Sequence, residues 1–502
     1  MKIKTGKDKF SMKQHIGTCL PEHFWRVVAG FYAIVLFFLN FIRIFDNNFW
    51  LDEAFSINLA KMDFAGMISA TAADVHPPLY YAILMLMYHL LGDHGWVFHL
   101  TSIIPYAITI VFVFSVIWKR FGKGTVFLMI TFISIMRSAV VYNVEVRMYS
   151  WAALFVLMAY YACYMILADD RRSGYILFAV FALLAAYTHY YTIIPLVILT
   201  VSVFVFLLVK KRKVWQFMAA LYVSTILYLP WMSTVIRQFQ RTSDSFLRDD
   251  PGLAKGLCYF FWQGNGASSG SMLGFNVLYS GILLLFATCL VFWLMWSGIK
   301  KLPKNSNSEV VDFTEAYWIF SGYTASIGTL LALELISILF TPTLTYKYLH
   351  PVVGLMWLAF SVAVSKLKNG NLIAGILTIV TLLISLPMYI ETYKTEVEAD
   401  KQCMATHQMM IEMISKDDVM LTNNEHLAWA VLQYYWPNMA HKYISDLSEI
   451  GKLESDKQYW ILWSDSLGKT LINIEDLNYQ VAEKCRNCEL GSTSFHLYQL
   501  VK

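Results

Sequence analysis

Charge is scarce in this 502-residue chain: only 15% of its residues are Asp, Glu, Lys or Arg. A soluble globular protein carries about 25%. With 57% hydrophobic residues and a mean hydropathy of +0.51, a water-soluble enzyme is excluded and a polytopic membrane protein is expected. Cysteine is sparse too; seven are scattered, and only Cys485 and Cys488 have a suggestive spacing. No internal repeat or low-complexity segment is visible, which argues against the inverted repeats of many transporters. No cleavage site follows the basic start MKIKTGKDKFSMKQH, so the long apolar run after it reads as a retained signal anchor. The net charge of +4 says little about partners, because the basic residues are clustered in ways that fit topology.

Apolar runs long enough to span, about 20 residues each, are what the chain does have. They centre on Trp25–Phe45, Trp96–Trp118, Thr125–Val141, Tyr149–Ala168, Tyr175–Tyr187 and Ile193–Val209, then Val214–Ile236, Leu273–Trp296, Ala316–Phe340, Val352–Val364 and Leu372–Ile390, which makes eleven. Leu79–Leu91 is too short to cross and follows two prolines. Keeping it out of the count places every basic segment on the cytoplasmic side, as the positive-inside rule requires. These segments are the N-terminus, Lys119 to Lys123, Asp169 to Arg172, Lys210 to Lys213, Lys300 to Lys304 and Lys366 to Lys368. If Leu79–Leu91 crossed, every later basic loop would face outward. It therefore reads as a helix in the outer leaflet.

That topology sends the chemically interesting segments to one external face. The first is Asn47 to Tyr81, NNFWLDEAFSINLAKMDFAGMISATAADVHPPLYY, which places Asp52 and Glu53 beside interface-seeking aromatics and ends near His76. The others carry Glu145, Arg147 and Tyr149, then Thr188 to Tyr191 with His189, then Tyr346 and Lys347. Acids, a histidine and cations converging at an interface suit acid–base chemistry on a half-lipidic substrate. A transporter more often places ionisable groups near the midplane, on broken helices.

After Ile390 the chain changes character. Residues 1–390 form the membrane part and 391–502 a separate external domain, expected to hold a helix at Thr392–Ser415, strands at Asp418–Thr422, Tyr459–Trp463 and Phe495–Val501, and a second helix at Glu425–Trp436. This alternation indicates a small α/β domain. Cys485 and Cys488 fall within it, where an oxidising compartment permits a disulfide; a bridge and two free thiols both stand.

Leu51-Asp52-Glu53-Ala54, His76-Pro77-Pro78-Leu79-Tyr80-Tyr81, Glu145-Val146-Arg147-Met148-Tyr149, Thr188-His189-Tyr190-Tyr191 and Tyr346-Lys347-Tyr348-Leu349-His350-Pro351 occur in that order. Together they resemble the family 39 branch of the GT-C glycosyltransferases, which includes protein O-mannosyltransferases and bacterial enzymes that decorate lipid A or envelope glycans. The resemblance covers Trp25 to about Pro351 and leaves the tail unmatched. It implies an all-α polytopic fold of GT-C type with external juxtamembrane helices. It also implies inverting transfer of a sugar from a polyprenyl-phosphate carrier to a glycan, lipid or protein acceptor. Asp52 takes the family's general-base position. The leaving phosphate needs charge stabilisation and no general acid; Arg147 and Lys347 are the candidate cations. Nucleic acid is not an expected partner.

Other readings stand beside these. Glu53 is either a second acid of the site or a cap for the following helix. His76 either lines the site or anchors its loop, and His189 among tyrosines is also a plain hydrogen-bonding residue. Glu145 and Arg147 are close enough in sequence to pair with each other. Arg137 and Glu334 lie inside spans, where pairing competes with phosphate binding. No cofactor is required; a divalent metal, if one is used, would fall to Asp52, His76 and Glu145. The chain departs from the family pattern at Val144, where an arginine is usual, and at Lys347, where lysine replaces arginine's bidentate fork by a point charge. A lipid-linked-glycan flippase and a non-catalytic envelope scaffold are the alternative functions.

Overall fold

The computed structural model describes residues 21–241, 252–263, 270–301, 312–340, 344–423, 428–444, 457–464 and 480–501. The basic N-terminus, Lys304 and the first residues of the expected helix Glu425–Trp436 lie outside them.

Helix α1 (Glu22–Phe41) is followed by three short helices, α2 (Leu51–Ala60), α3 (Phe64–Ala73) and α4 (Leu79–Leu91). Acids in the first turn suit an α2 start, and the Asp63 carboxylate caps α3 by accepting from the Gly66 N–H at 2.7 Å. At 13 residues α4 is too short to cross, and it stops at Gly92, whose φ of +89° favours glycine. The bundle continues with α5 (Gly95–Phe112), α6 (Trp118–Ile135), α7 (Arg137–Tyr142), α8 (Tyr149–Leu167), α9 (Arg172–Thr188), α10 (Ile193–Val209) and α11 (Trp215–Arg241). After α12 (Gly252–Tyr259) come α13 (Gly270–Lys301), α14 (Phe313–Leu339), α15 (Tyr346–Ser365) and α16 (Gly370–Met413).

Among the described residues, nine helical stretches are long and apolar enough to cross a bilayer. One of them, Gly95–Ile135, is broken at Gly122 (φ +79°) and so contains two of the eleven expected segments. Another expected segment is α9, an apolar helix of 17 residues. Three boundaries differ from expectation. The segment Thr125–Val141 breaks at Met136, which is extended, and Arg137 opens a new helix. Helix α15 begins six residues before Val352, so Tyr346 and Lys347 belong to its first turn and not to a loop. Finally, α16 runs 44 residues through Ile390 without interruption, joining the last apolar segment to the expected tail helix.

Helix α15 is the centre of the bundle, buried along nearly its whole length, and its all-round apolar sequence is what such a position demands. Close packing on small residues brings α8 against α14, where Gly322 admits the Tyr160 ring and Tyr160 stacks on Trp318 at 4.5 Å. The basic segments meet at one end of the bundle. There Arg120 pairs with Asp169, Arg212 donates to the carbonyls of Ile166 and Leu167, and Lys366 lies 2.6 Å from Glu315.

The tail is a five-stranded mixed sheet in the order β2-β1-β3-β5-β4: β1 (Val419–Thr422), β2 (Ala440–Tyr443), β3 (Tyr459–Ser464), β4 (Gln480–Leu490) and β5 (Thr493–Val501). Strand β1 is parallel to β2 and β3, while β5 is antiparallel to β3 and β4. Alternate residues of β1 and β3 face opposite sides. Val419, Leu421 and Ile461 close a small core, whereas Met420, Trp460 and Leu462 join the core that continues into the helical bundle. Strands β2 and β4 were not expected: one is short and exposed, the other polar and bulged, and neither shows apolar alternation. Cys485 and Cys488 are bridged within β4.

Candidate active site

At the end of the bundle opposite the basic segments, α2, the loop after α7, the first turn of α15 and the approach to α4 meet. Asp52 is held there between two cations. Lys347 Nζ donates to its Oδ2 at 3.0 Å, and Arg147 Nη2 lies 3.9 Å from the same oxygen. Arg147 is 2% exposed, and its donors are turned to the protein. Nη1 reaches the Asp52 carbonyl (3.1 Å), Ser56 Oγ (3.0 Å) and Tyr81 Oη (3.4 Å), and Nη2 reaches His76 Nε2 (3.3 Å). Nε has no partner. Lys347 is less enclosed and stands 5.3 Å from the Trp50 ring centroid, a cation–π contact.

Burial pushes the Asp52 carboxyl up, but Arg147 and then Lys347 outweigh it, so its pKa lies below the usual aspartate value. Desolvation and repulsion by a neighbouring carboxylate would by themselves raise it. The cations overturn this, and Glu53 is turned elsewhere. Its Oε1 accepts the Val146 N–H at 2.8 Å and its Oε2 the Trp50 N–H at 3.3 Å, so it caps α2 and fastens it to the Glu145–Arg147 loop. Burial and then neighbouring Glu145 push Glu53 well above the carboxylate range. Glu145 is pushed to about 7, chiefly by burial, with Arg147 and Lys347 pulling against it. Glu145 and Arg147 are joined through the backbone, Arg147 N–H to Glu145 O at 2.7 Å, and their side chains form no ion pair with each other.

His76 lines the site. Its Nδ1 lies 2.9 Å from Asp74 Oδ2 and its Nε2 faces Arg147. His189, 2% exposed, sits among rings behind it, 6.2 Å from His76, 5.7 Å from Tyr149 and 5.2 Å from Tyr348, centroid to centroid. Tyr149 is fully buried and its hydroxyl has no partner among the described residues. Tyr346 points away: it is 40% exposed and stacks on Tyr259 at 5.1 Å. Asp52, His76 and Glu145 do not gather as a ligand set. Both His76 nitrogens face other side chains, and no three His, Cys, Asp or Glu side chains among the described residues are grouped to hold a metal. Arg137 donates to Thr392 Oγ1 at 2.8 Å and does not meet Glu334.

A cavity of about 500 Å³ opens at Lys347, lined also by Trp50, Glu53 and Glu145 and by Arg43, Asp46, Glu396 and Ser492. The tail thus supplies part of its wall. Arg43 forms two hydrogen bonds to the Glu396 carboxylate, at 2.6 and 2.8 Å. Ser492 N–H donates to Asn48 Oδ1 at 3.0 Å, and Tyr435 Oη donates to the Asn47 carbonyl at 2.8 Å. Gly491, φ +57°, lies so close that a Cβ there would meet the Phe49 carbonyl at 2.7 Å. Sequence reasoning did not single out Asp74, Ser56 or Tyr81 for the site, nor Arg43 with Glu396. Of these, Asp74 carried a signal in its place two residues before His76, and Tyr81 in closing the motif that begins at His76.

Residues 75–236 match the family described as dolichyl-phosphate-mannose-protein mannosyltransferase. No curated protein sequence matches the chain. Among solved structures, the chain resembles ArnT from Cupriavidus metallidurans in the apo state, at 12% identity and a TM-score of 0.57, over 95% of this chain and 98% of that one. ArnT from the same organism bound to undecaprenyl phosphate gives 12% identity and a TM-score of 0.54 over the same shares. The fold over the length of the chain is thus that of ArnT, and the family match covers the part that holds His76, Glu145, Arg147 and His189.

Proposed function

We propose that the protein transfers a sugar from a polyprenyl-phosphate carrier to an acceptor at the outer face of the membrane, with inversion and with Asp52 as general base. The observation that carries this reading is the Asp52 carboxylate set between two cations, one of which, Lys347, also lines the cavity. The likeness to ArnT bound to undecaprenyl phosphate supports the donor class. The gathering of basic segments at the other end of the bundle supports an external site, by the positive-inside rule. The tail, next to the site, is then external as well.

The steps balance with few groups. Asp52 takes the proton of the acceptor hydroxyl as its oxygen attacks the anomeric carbon from the face opposite the phosphate. The bond from that carbon to the phosphate oxygen breaks, and polyprenyl phosphate leaves with the electron pair. Lys347 serves the leaving phosphate. It lies in the first turn of α15, where the helix N-terminus also favours an anion. Arg147, with its outer nitrogens committed to the protein, holds Asp52 in place.

Lys347 then has two successive partners. Without donor it pairs with Asp52; a phosphodiester draws it away, removes one lowering influence from Asp52 and makes that carboxylate a stronger base. The enzyme is in this way a poor base until donor is bound. The test is transfer from a polyprenyl-phosphate sugar by purified protein, with envelope glycan composition compared in cells with and without it. No transfer from any such donor and an unchanged envelope overturn the reading. The acceptor is proposed only as a glycan, lipid or protein hydroxyl or similar nucleophile. A flippase reading has no comparable observation behind it.

A further inference from the structure

Asp74 lies outside the residues assigned above to transfer, yet it ends a chain of contacts that begins at Asp52. Arg147 Nη2 can only donate, so His76 Nε2, 3.3 Å away, must accept. That makes the imidazole neutral with its proton on Nδ1. An Nδ1–H needs an acceptor in this enclosed place, and Asp74 Oδ2 stands 2.9 Å from it. The opposite tautomer, or a charged ring, would set an N–H against the guanidinium and push Arg147 off the Asp52 carbonyl and Ser56.

We propose that Asp74 is a positioning residue: by accepting the His76 Nδ1 proton it fixes the tautomer whose Nε2 holds Arg147, and through Arg147 it fixes Asp52. The proposal rests on the sugar-transfer reading. Every charged or titratable group facing the ring agrees with it. Asp74 is ionised, held below the usual range by His76 against the effect of burial. Arg147 and the more distant Asp52 also act on the ring, and the His189 ring lies 6.2 Å away, centroid to centroid. Burial, opposed by Asp74, keeps the His76 pKa below its ordinary value, the direction that favours the neutral ring.

Asp74→Leu removes the acceptor, Asp74→Asn keeps a carbonyl oxygen for the Nδ1 proton, and His76→Gln offers Arg147 an oxygen that needs no tautomer. Transfer kinetics from a polyprenyl-phosphate sugar are measured for each and for the double variant Asp74→Leu/His76→Gln. Displacement of a reacting group by about 1 Å costs about 10²-fold. Asp74→Leu is therefore expected to lower kcat by roughly 10²-fold with donor KM little changed, while Asp74→Asn keeps most of the activity. In the His76→Gln background, Asp74→Leu should have almost no further effect. An equal loss from Asp74→Leu in both backgrounds, Asp74→Asn as inactive as Asp74→Leu while folded, or a fully active Asp74→Leu overturns the proposal. A wild-type protein inactive with all donors defeats the sugar-transfer reading instead. The tautomer assignment is then read from thermal unfolding: Asp74→Leu must destabilise the wild-type background more than the His76→Gln one, and equal shifts overturn it.

Discussion

Lys347 and Asp52, 295 residues apart in sequence, meet at 3.0 Å, so the first turn of α15 is tied to the first turn of α2 by one ion pair. Each side chain is about a quarter exposed, which leaves the pair open to competition from a phosphate.

If Lys347 exchanges Asp52 for the donor phosphate, its charge matters more than its shape. Lys347→Ala should weaken donor binding by about 10- to 100-fold, the range of a hydrogen bond to a charged group. Lys347→Arg keeps the charge and adds a fork, so it should lose far less. Donor-binding titrations of both purified variants decide this. Equal losses would remove Lys347 from phosphate binding.

The contacts between the tail and the helical bundle make the tail part of the fold's stability. A chain ending after Ile390 cuts α16 and removes Glu396, leaving the 95%-buried Arg43 without its carboxylate. Glu396→Ala should destabilise by roughly 3 kcal/mol, the low end for a broken buried pair because Glu396 keeps some solvent access. The truncated chain should fail to fold. Denaturation of Glu396→Ala in detergent provides the number, and a stable, active truncation would contradict the account.

Asp46, just past α1, has its pKa raised from 3.8 to about 7, first by burial and then by Asp400 and Glu396. A carboxyl raised in the folded state keeps its proton after the unfolded chain has released it, so stability falls as pH rises between those values. Below the lower value both states are protonated and there is no penalty; above the upper value the penalty is complete. Asp46→Asn should therefore flatten the decline of melting temperature from about pH 4 to about pH 7. An unchanged slope would show that Asp46 ionises normally in the folded protein.

Topology can be checked directly. Asp93, beside Gly92 and paired with Lys61 at 2.7 Å, belongs to the site end, while Lys123, just past the Gly122 break, belongs to the other. Single cysteines placed at these positions should label with a membrane-impermeant reagent at 93 and not at 123 in intact cells. The reverse pattern would invert the orientation.

Much of this was legible in the sequence because hydrophobic runs and basic clusters are local signals. Leu79–Leu91 could be kept out of the membrane count by its length together with the placement of the basic clusters, and strands such as Tyr459–Ser464 announce themselves by dense aromatics. Less legible were features set by distant partners. Lys347 read as a loop residue because nothing local shows that α15 starts before it. The depressed Asp52 pKa depends on two cations from elsewhere in the chain, and Glu53 spends its carboxylate on the Val146 and Trp50 N–H groups. The polar strand β4 hides its pairing with β5, and with it the Ser492 contact to Asn48.

The central claim is that Asp52 removes the acceptor proton. Asp52→Asn keeps size and a hydrogen-bonding oxygen but cannot take a proton. Glu53→Gln instead places an NH2 against one of two backbone donors, so it should lower stability more than it lowers the chemical step. Transfer from a polyprenyl-phosphate sugar is measured for both purified variants, with donor binding assayed separately. The account predicts that Asp52→Asn binds donor yet transfers roughly 10²–10⁴-fold more slowly, while Glu53→Gln, once folded, retains transfer. Near wild-type transfer by Asp52→Asn, with Glu53→Gln folded and inactive, would contradict it.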